Sequence, residues 1–103
     1  MADQIALTET TYYILLSLYE PLHGYGIMQR TAELSGGRIQ LAAGTLYGAL
    51  NAMVDRGWIT LLPGEGRKKE YRLTPMGLEV VQKELARLRE LVASGDLILK
   101  EEA

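Results

Sequence analysis

Hydrophobic and polar positions recur with a helical period between residues 41 and 55. Leu46, Leu50, Met53 and Val54 follow i, i+4, i+7 and i+8 spacing, so they share one face of a predicted helix. The opposite face carries small or short polar residues, namely Gly44, Thr45, Gly48, Asn51 and Asp55. Gly57 follows this predicted helix, and glycine is favoured there because the residue that ends a helix often has a left-handed conformation. The pattern predicts an amphipathic helix whose outer face allows close approach by a flat or grooved surface.

A β-hairpin is predicted directly after this helix. Residues 58–62 are apolar and β-prone, residues 63–66 read Pro-Gly-Glu-Gly and supply a turn, and residues 67–73 return. On the returning strand Lys69, Tyr71 and Leu73 share one face. We also predict that residues 38–41, which alternate polar and apolar, pair with the hairpin as a short third strand.

Two helices are predicted in the N-terminal third. Thr8 caps the first, over residues 11–20, which is apolar on several sides and is therefore expected to be buried against its own domain and a second chain. Pro21 stops it. The second helix covers residues 25–34 and is preceded by His23, which we interpret as a turn or capping residue.

The last helix has a narrower apolar stripe. Thr74 caps it and Pro75 takes its first position. Apolar residues then follow 3-4 spacing, with Gly95 at one seam position, as in a coiled-coil seam of about three heptads: Leu78, Val81, Leu85, Leu88, Val92 and Leu99. Such a helix either folds back on its own domain or pairs with a partner helix. We favour the second interpretation, a homodimer.

Composition excludes several classes of protein. The 103 residues include no cysteine and one histidine, which argues against metal sites and catalytic triads, and we expect no metal and no cofactor. No nucleophile–base pair or glycine-rich phosphate loop is evident, so we expect no enzyme. No apolar run approaches the roughly 20 residues of a membrane span, and no signal pattern precedes the domain. We therefore expect a cytoplasmic protein without a membrane partner.

The charge distribution is more informative than the net charge of −2. Residues 58–75 carry four basic and two acidic side chains, whereas the segments on either side are net acidic. A small-faced helix followed by a basic hairpin is typical of a winged helix-turn-helix, in which the helix enters the major groove and the wing contacts backbone. Two alternatives stay open: a solvated hairpin, or a winged-helix module that binds an acidic protein instead of specific DNA.

The chain resembles PadR-family transcriptional regulators of the short C-terminal-helix type. The resemblance lies in LHGYGI (22–27), GTLYGALNAMVDRGWI (44–59), GRKKEYRLTPMG (66–77) and the terminal heptad helix. It implies a dimeric winged-helix DNA binder, usually a repressor, whose C-terminal helices form the dimer interface and which can respond to a small hydrophobic effector. Two-fold symmetry implies a pseudopalindromic operator in double-stranded DNA.

From pattern and resemblance together we predict a mainly α fold with a small β-hairpin: a winged helix-turn-helix over residues 1–75 and a dimerisation helix over residues 76–103. The predicted DNA contacts are Tyr25, Gly44, Thr45, Tyr47, Gly48, Asn51, Arg67, Lys68 and Lys69. The predicted dimer interface is the six-residue heptad stripe. The predicted effector pocket is lined by Tyr12, Leu15, Leu88 and Val92. Some drug-binding relatives place tryptophan where this chain has Leu88, so an aliphatic pocket is expected here.

Overall fold

The chain folds into four helices and one antiparallel hairpin over the residues that the computed structural model describes, 6–63 and 69–100. This mainly helical architecture with a single hairpin confirms the predicted fold class. In chain order the elements are α1 (Glu9–Ser17), α2 (Gly24–Leu34), α3 (Ala43–Asp55), β1 (Ile59–Leu61), β2 (Tyr71–Leu73) and α4 (Pro75–Leu99).

Side chains cap three of the four helices where the sequence places them. The Thr8 hydroxyl accepts a hydrogen bond from the Thr11 backbone N–H at 3.1 Å, and Thr74 accepts one from the Gly77 N–H at 3.0 Å. His23 caps α2 through Nδ1, which accepts from the Gly26 N–H at 3.1 Å. Each cap satisfies a backbone donor that would otherwise lack a helical partner. All three capping predictions are confirmed.

The core collects apolar residues from every element. The predicted stripe of α3 supplies Leu46, Leu50 and Met53, which are almost fully buried, while Val54 is half-buried. The other buried apolar side chains are Ile14, Leu15, Leu18, Ile27, Trp58, Ile59, Tyr71 and Val81. Burial of this face on α3 leaves the opposite face to solvent.

The hairpin pairs Ile59 with Leu73 and Leu61 with Tyr71. The prediction of a third strand at residues 38–41 is wrong, because these residues form a connection without strand structure. Leu22 takes that place instead. It forms a β-bridge with Tyr71, whose N–H donates to the Leu22 carbonyl at 2.9 Å and whose carbonyl accepts from the Leu22 N–H at 3.1 Å. The base of the wing is thereby joined to the entry of α2.

The turn from α3 into the hairpin depends on two glycines. Gly57 has φ of 81°, a left-handed conformation that side chains rarely adopt. Gly77, in the first turn of α4, lies against the Trp58 backbone, and a Cβ atom there would stand 2.8 Å from the Trp58 carbonyl carbon. Helix α4 therefore starts in direct contact with Trp58, the residue that precedes β1.

Helix α4 is 25 residues long and changes character along its length. Its first half packs on α1 and buries Val81 and Glu84, with 6% and 3% of their surfaces exposed. Its second half exposes a series of large apolar side chains: Leu91, Val92, Leu97, Ile98 and Leu99. Packing of α4 against its own domain is therefore confined to its first half.

Candidate nucleic-acid interface

The outer face of α3 is smooth and open. Gly44, Thr45, Gly48 and Asn51 are all exposed, on the side opposite the buried stripe. A Cβ atom added at Gly44 or at Gly48 would meet nothing within 4 Å. Packing inside the chain therefore does not require glycine at either position. These two glycines make the outer face of α3 shallow. The surface of a large ligand can therefore approach the backbone of α3 closely.

Tyr47 connects this face to α2. Its side chain is 45% exposed, and its ring lies against Gly24, the first residue of α2. A Cβ atom at Gly24 would stand 2.8 Å from the ring carbon Cζ of Tyr47. The absence of a side chain at Gly24 thus lets the ring pack between α2 and α3 while part of it stays at the surface.

Tyr25 stands next to this contact and is 64% exposed. Its hydroxyl accepts a weak hydrogen bond from Gln29 Nε2 at 3.4 Å, one turn further along α2. Two predicted contact residues, Tyr25 and Tyr47, therefore come from the neighbouring elements α2 and α3. Phenol hydroxyls at such positions can donate hydrogen bonds to phosphate oxygens.

The hairpin carries cations that the rest of the domain does not neutralise. Lys69 and Arg72 are exposed, and neither has a carboxylate within 4 Å among residues 6–63 and 69–100. Elsewhere in that part of the chain, Arg30, Arg38, Lys83 and Arg87 each pair with an acid, whereas Arg56, Arg89 and Lys100 do not. The predicted contacts Arg67 and Lys68 lie outside the described residues.

The predicted interface residues of α4 fall into two groups. Val81 is buried in the core of its own chain, and Leu78 packs against that core. Leu88 is half-buried. Leu85, Val92 and Leu99 are exposed, the last two to more than half of their surface. Val92 and Leu99 lie in the second half of α4, whereas Leu85 lies in the first half, on a side that the domain leaves uncovered.

A cavity of about 310 Å³ lies between α1 and α4, beside the predicted effector pocket. Tyr12 and Leu88 line it together with Tyr13, Glu84 and Arg87. Leu15 is fully buried in the core and Val92 is exposed, and neither is among the residues that line this cavity. The structure thus brings together only two of the four predicted pocket residues.

Glu84 makes this cavity more polar than the sequence suggested. Arg87 donates to its carboxylate from Nε at 2.9 Å and from Nη2 at 2.6 Å, and this pairing lowers the pKa of Glu84. The nearby Leu7 backbone lowers the pKa of Glu84 further. Burial, together with the nearby Glu84 charge, raises the pKa of the Tyr12 phenol. Glu84 is 3% exposed, and nothing in the local sequence pattern marks it as buried.

Two further residues escaped the sequence-based prediction. Arg56 places its guanidinium 5.0 Å from the centre of the Trp58 ring, and both line another cavity beside α3. In the sequence, the only sign of this contact is that Arg56 lies two positions before Trp58, the single tryptophan of the chain.

The fold has the elements of a winged helix-turn-helix. Helix α2 packs against α3, α3 keeps an open outer face, and a basic hairpin follows α3. The model of the transcriptional regulator PadR-like family matches residues 13–83, which is more than half of the chain. The chain therefore belongs to the PadR-like family of transcriptional regulators. Sequence resemblance and fold agree on this assignment.

Solved structures show the same similarity. The RosR structure from H. salinarum shares 26% identity at a TM-score of 0.70, covering 94% of this chain and all (100%) of that one. Bacillus subtilis PadR, solved in complex with operator DNA, shares 29% identity at a TM-score of 0.64, covering 75% of this chain and 46% of that one.

A curated relative is an uncharacterized 37.1 kDa protein in transposon TN4556 of Streptomyces fradiae. It is 39% identical over 64 residues, which cover 62% of this chain and 18% of the relative. The chain thus spans less than a fifth of that protein's length.

Within residues 6–63 and 69–100, no helix is long and apolar enough to cross a bilayer. The same part of the chain contains no group of three or more His, Cys, Asp or Glu placed to hold a metal ion.

Proposed function

We propose that this protein is a sequence-specific DNA-binding repressor that works as a homodimer in the cytoplasm. Helix α3 enters the major groove, and Tyr25 and Tyr47 contact the adjoining backbone. The wing, through Arg67, Lys68 and Lys69, supplies contacts that are independent of sequence. Membership of a transcriptional-regulator family and the similarity to a PadR protein solved on operator DNA support this proposal.

The observation that carries the proposal is the open face of α3. Gly44 and Gly48 have no neighbour for a side chain, yet Gly48, in the interior of α3, costs about 1 kcal/mol relative to alanine. Thr45 and Asn51 supply short polar groups on the same face. Asn51 in the middle of the helix can read an adenine edge or hold a phosphate. Insertion of α3 into the major groove of DNA explains why the side chains on this face are small.

Selection from random-sequence duplexes tests DNA recognition directly. We expect recovery of a pseudopalindromic site with half-sites about one helical turn, or a small multiple of it, apart. Affinity for that site should exceed affinity for a scrambled duplex of equal length by at least a thousandfold at physiological salt. Recovery of no consensus, together with binding to an acidic protein, would instead support the protein-interaction alternative.

The dimer is the second part of the proposal. Exposed apolar residues on α4, including Leu85, Val92 and Leu99, form a surface that a second copy can cover. In this scheme residues 1–75 form the DNA-binding unit and α4 forms the interface, with Leu78 and Val81 anchoring α4 to its own domain and Leu88 at the edge.

Sedimentation of a double variant tests this interface. Leu85→Asp with Leu88→Asp places charges within the stripe, and we expect monomers at micromolar concentration with weakened operator binding. The matched control, Ala86→Asp with Ala93→Asp, adds the same two charges at exposed positions of α4 outside the stripe and should stay dimeric. A dimer that persists in the Leu85→Asp, Leu88→Asp variant would place the interface elsewhere.

A small hydrophobic effector is the third part of the proposal, at the cavity beside Tyr12 and Leu88 near the dimer axis. Such a ligand would release DNA only if it binds better to one spacing of the two DNA-binding units than to the other. Arg87 and Glu84 give one wall of this cavity a charged pair. The measurement is operator affinity with and without candidate ligands, in the native chain and in Leu88→Ala.

A further inference from the structure

The connection between α2 and α3 covers residues 36–42 and leads directly into the helix that we propose to read DNA. It begins with Gly36 and Gly37, whose φ angles are 65° and 88°. Glycine adopts this left-handed conformation without steric cost, and its backbone is the least restricted of any residue. The backbone of these two glycines therefore does little to fix the direction in which the connection continues.

Helix α3 also starts without a side-chain cap, unlike α1, α2 and α4. Its N-cap residue is Ala42, whose methyl group cannot accept a hydrogen bond from a backbone N–H. Residues 42–45 are all exposed, and Leu46 is the first buried side chain of the helix. Neither a capping side chain nor a buried one therefore fixes the first residues of α3.

Arg38 joins this connection to α1. Its guanidinium donates a hydrogen bond from Nη2 to the carboxylate of Glu9, which lies 29 positions earlier in the first turn of α1. This hydrogen bond lowers the pKa of Glu9 and raises the pKa of Arg38. Ile39, by contrast, donates its N–H locally, to Oγ of Ser35 at 2.9 Å. Among the described residues, no other member of the connection forms a hydrogen bond with a distant element.

We propose that Glu9 and Arg38 are positioning residues for DNA recognition, and that their ion pair holds the start of α3 where its outer face meets the operator. The proposal rests on the proposed function, because it concerns how α3 reads DNA. An exposed ion pair contributes little to the stability of a fold, since solvent screens both charges. It can still matter for recognition, because binding groups must be held within about 0.5 Å of their productive positions.

The direction of the effect of Glu9→Gln separates positioning from simple electrostatics. Removal of a carboxylate reduces the repulsion of phosphates, so electrostatics alone predicts equal or tighter binding to any duplex. Loss of positioning predicts the opposite for the operator. We expect Glu9→Gln to weaken operator binding about tenfold while affinity for a scrambled duplex does not fall. Operator binding by Glu9→Gln that equals or exceeds that of the native chain would overturn the proposal.

Glu79→Gln is the matched control, because it also removes the acid of an exposed ion pair, with Lys83 on α4. It should leave operator affinity unchanged. Urea unfolding of Glu9→Gln and Glu79→Gln should give the same midpoint, which shows that the weaker operator binding of Glu9→Gln does not come from unfolding.

A double-mutant cycle tests whether Glu9 and Arg38 act as a unit. Arg38→Gln should lower the ratio of operator affinity to scrambled-duplex affinity about tenfold, as Glu9→Gln does. The double variant should lower this ratio no further, since either single change breaks the same ion pair. A ratio lowered about a hundredfold in the double variant would show independent effects. That result would assign Arg38 a contact of its own with DNA and overturn the proposal.

Amide hydrogen exchange in the free protein tests the same contact without DNA. The Leu46 N–H donates to the Ala42 carbonyl at 2.9 Å and so reports on the first turn of α3. Its exchange rate should rise about threefold or more in Glu9→Gln and in Arg38→Gln, while the amide of Leu50 one turn later keeps its native rate. Unchanged exchange at Leu46 in both variants would refute the positioning role. A native chain without preference for any operator would instead refute the proposed function, so the two failures are distinguishable.

Discussion

The ring of Tyr47 packs directly on Gly24, so that a Cβ atom on Gly24 would stand 2.8 Å from Cζ of Tyr47. This contact fixes how closely α2 and α3 approach each other at the face that we propose to meet DNA. A side chain at residue 24 would therefore displace the Tyr47 ring, whereas one at residue 44 or 48 would meet no neighbour.

Gly24→Ala should weaken operator binding by roughly tenfold, equivalent to about 1.4 kcal/mol. The new methyl group meets the far end of a side chain, so Tyr47 can move aside, and the stability loss should stay near 1 kcal/mol. Equilibrium binding and urea unfolding measure the two effects. Gly44→Ala is the control for stability and should unfold no more easily than the native chain. Unchanged DNA affinity in Gly24→Ala would show that the position of Tyr47 does not matter for binding.

Gly77→Ala should be far more damaging to the fold. Its methyl group would meet the Trp58 backbone, which cannot rotate away as the Tyr47 side chain can. We expect destabilisation of about 3 kcal/mol, at the upper end of the cost of overpacking. Gly48→Ala is the matched control, because that position has open space and alanine favours helix. The urea midpoint should fall in Gly77→Ala and rise in Gly48→Ala. Equal midpoints would contradict the close contact between Gly77 and the Trp58 backbone.

Glu84 should contribute stability that depends on pH. Hydrogen bonds from Arg87 lower its pKa below the ordinary value of 4.5, so the folded state favours the ionised carboxylate. This contribution is fully present above the unfolded pKa and is lost as pH falls through the lower folded pKa. Glu84→Gln should therefore cost about 2 kcal/mol at pH 7 and much less in acid. Urea unfolding across pH 2.5–7 checks this, with Glu79→Gln on the exposed side as control. Parallel curves for Glu84→Gln and the native chain would refute it.

Lys69→Gln should weaken binding to operator and scrambled DNA alike. Its ammonium has no acidic partner in the described chain, and one lost phosphate contact lowers the slope of log K against log salt by about one. Lys100→Gln removes the same charge at the far end of α4 and should leave the slope unchanged. Equal slopes for Lys69→Gln and the native chain would remove Lys69 from the interface.

Much of this fold could be predicted because the determining signals are local. The Leu46, Leu50 and Met53 stripe follows from spacing alone, and the caps at Thr8 and Thr74 follow from hydroxyl chemistry at helix starts. The third strand was misplaced because Leu22 sits in a turn-like segment without alternation. Leu22 pairs with Tyr71 because the start of α2 lies beside the base of the wing, a long-range arrangement that the local sequence does not show.

The candidate site was less predictable, since its geometry depends on long-range contacts. The spacing identified the exposed face of α3, but neither the packing of Tyr47 on Gly24 nor the buried state of Glu84 has a local signature. Glu84 lies at a helix position that usually faces solvent. Arg87 donates two hydrogen bonds to its carboxylate and so replaces water there.

Operator affinity of Gly48→Glu compared with Gly48→Ala tests the central proposal, that α3 reads the groove through its small face. Fluorescence anisotropy with the selected duplex provides the measurement, and thermal unfolding establishes that both variants are folded. We predict that Gly48→Glu loses specific binding by at least a hundredfold, because a carboxylate and its stem would stand between the helix backbone and the DNA. Gly48→Ala should retain binding within about tenfold. Native affinity in a folded Gly48→Glu variant would contradict the placement of α3 in the groove.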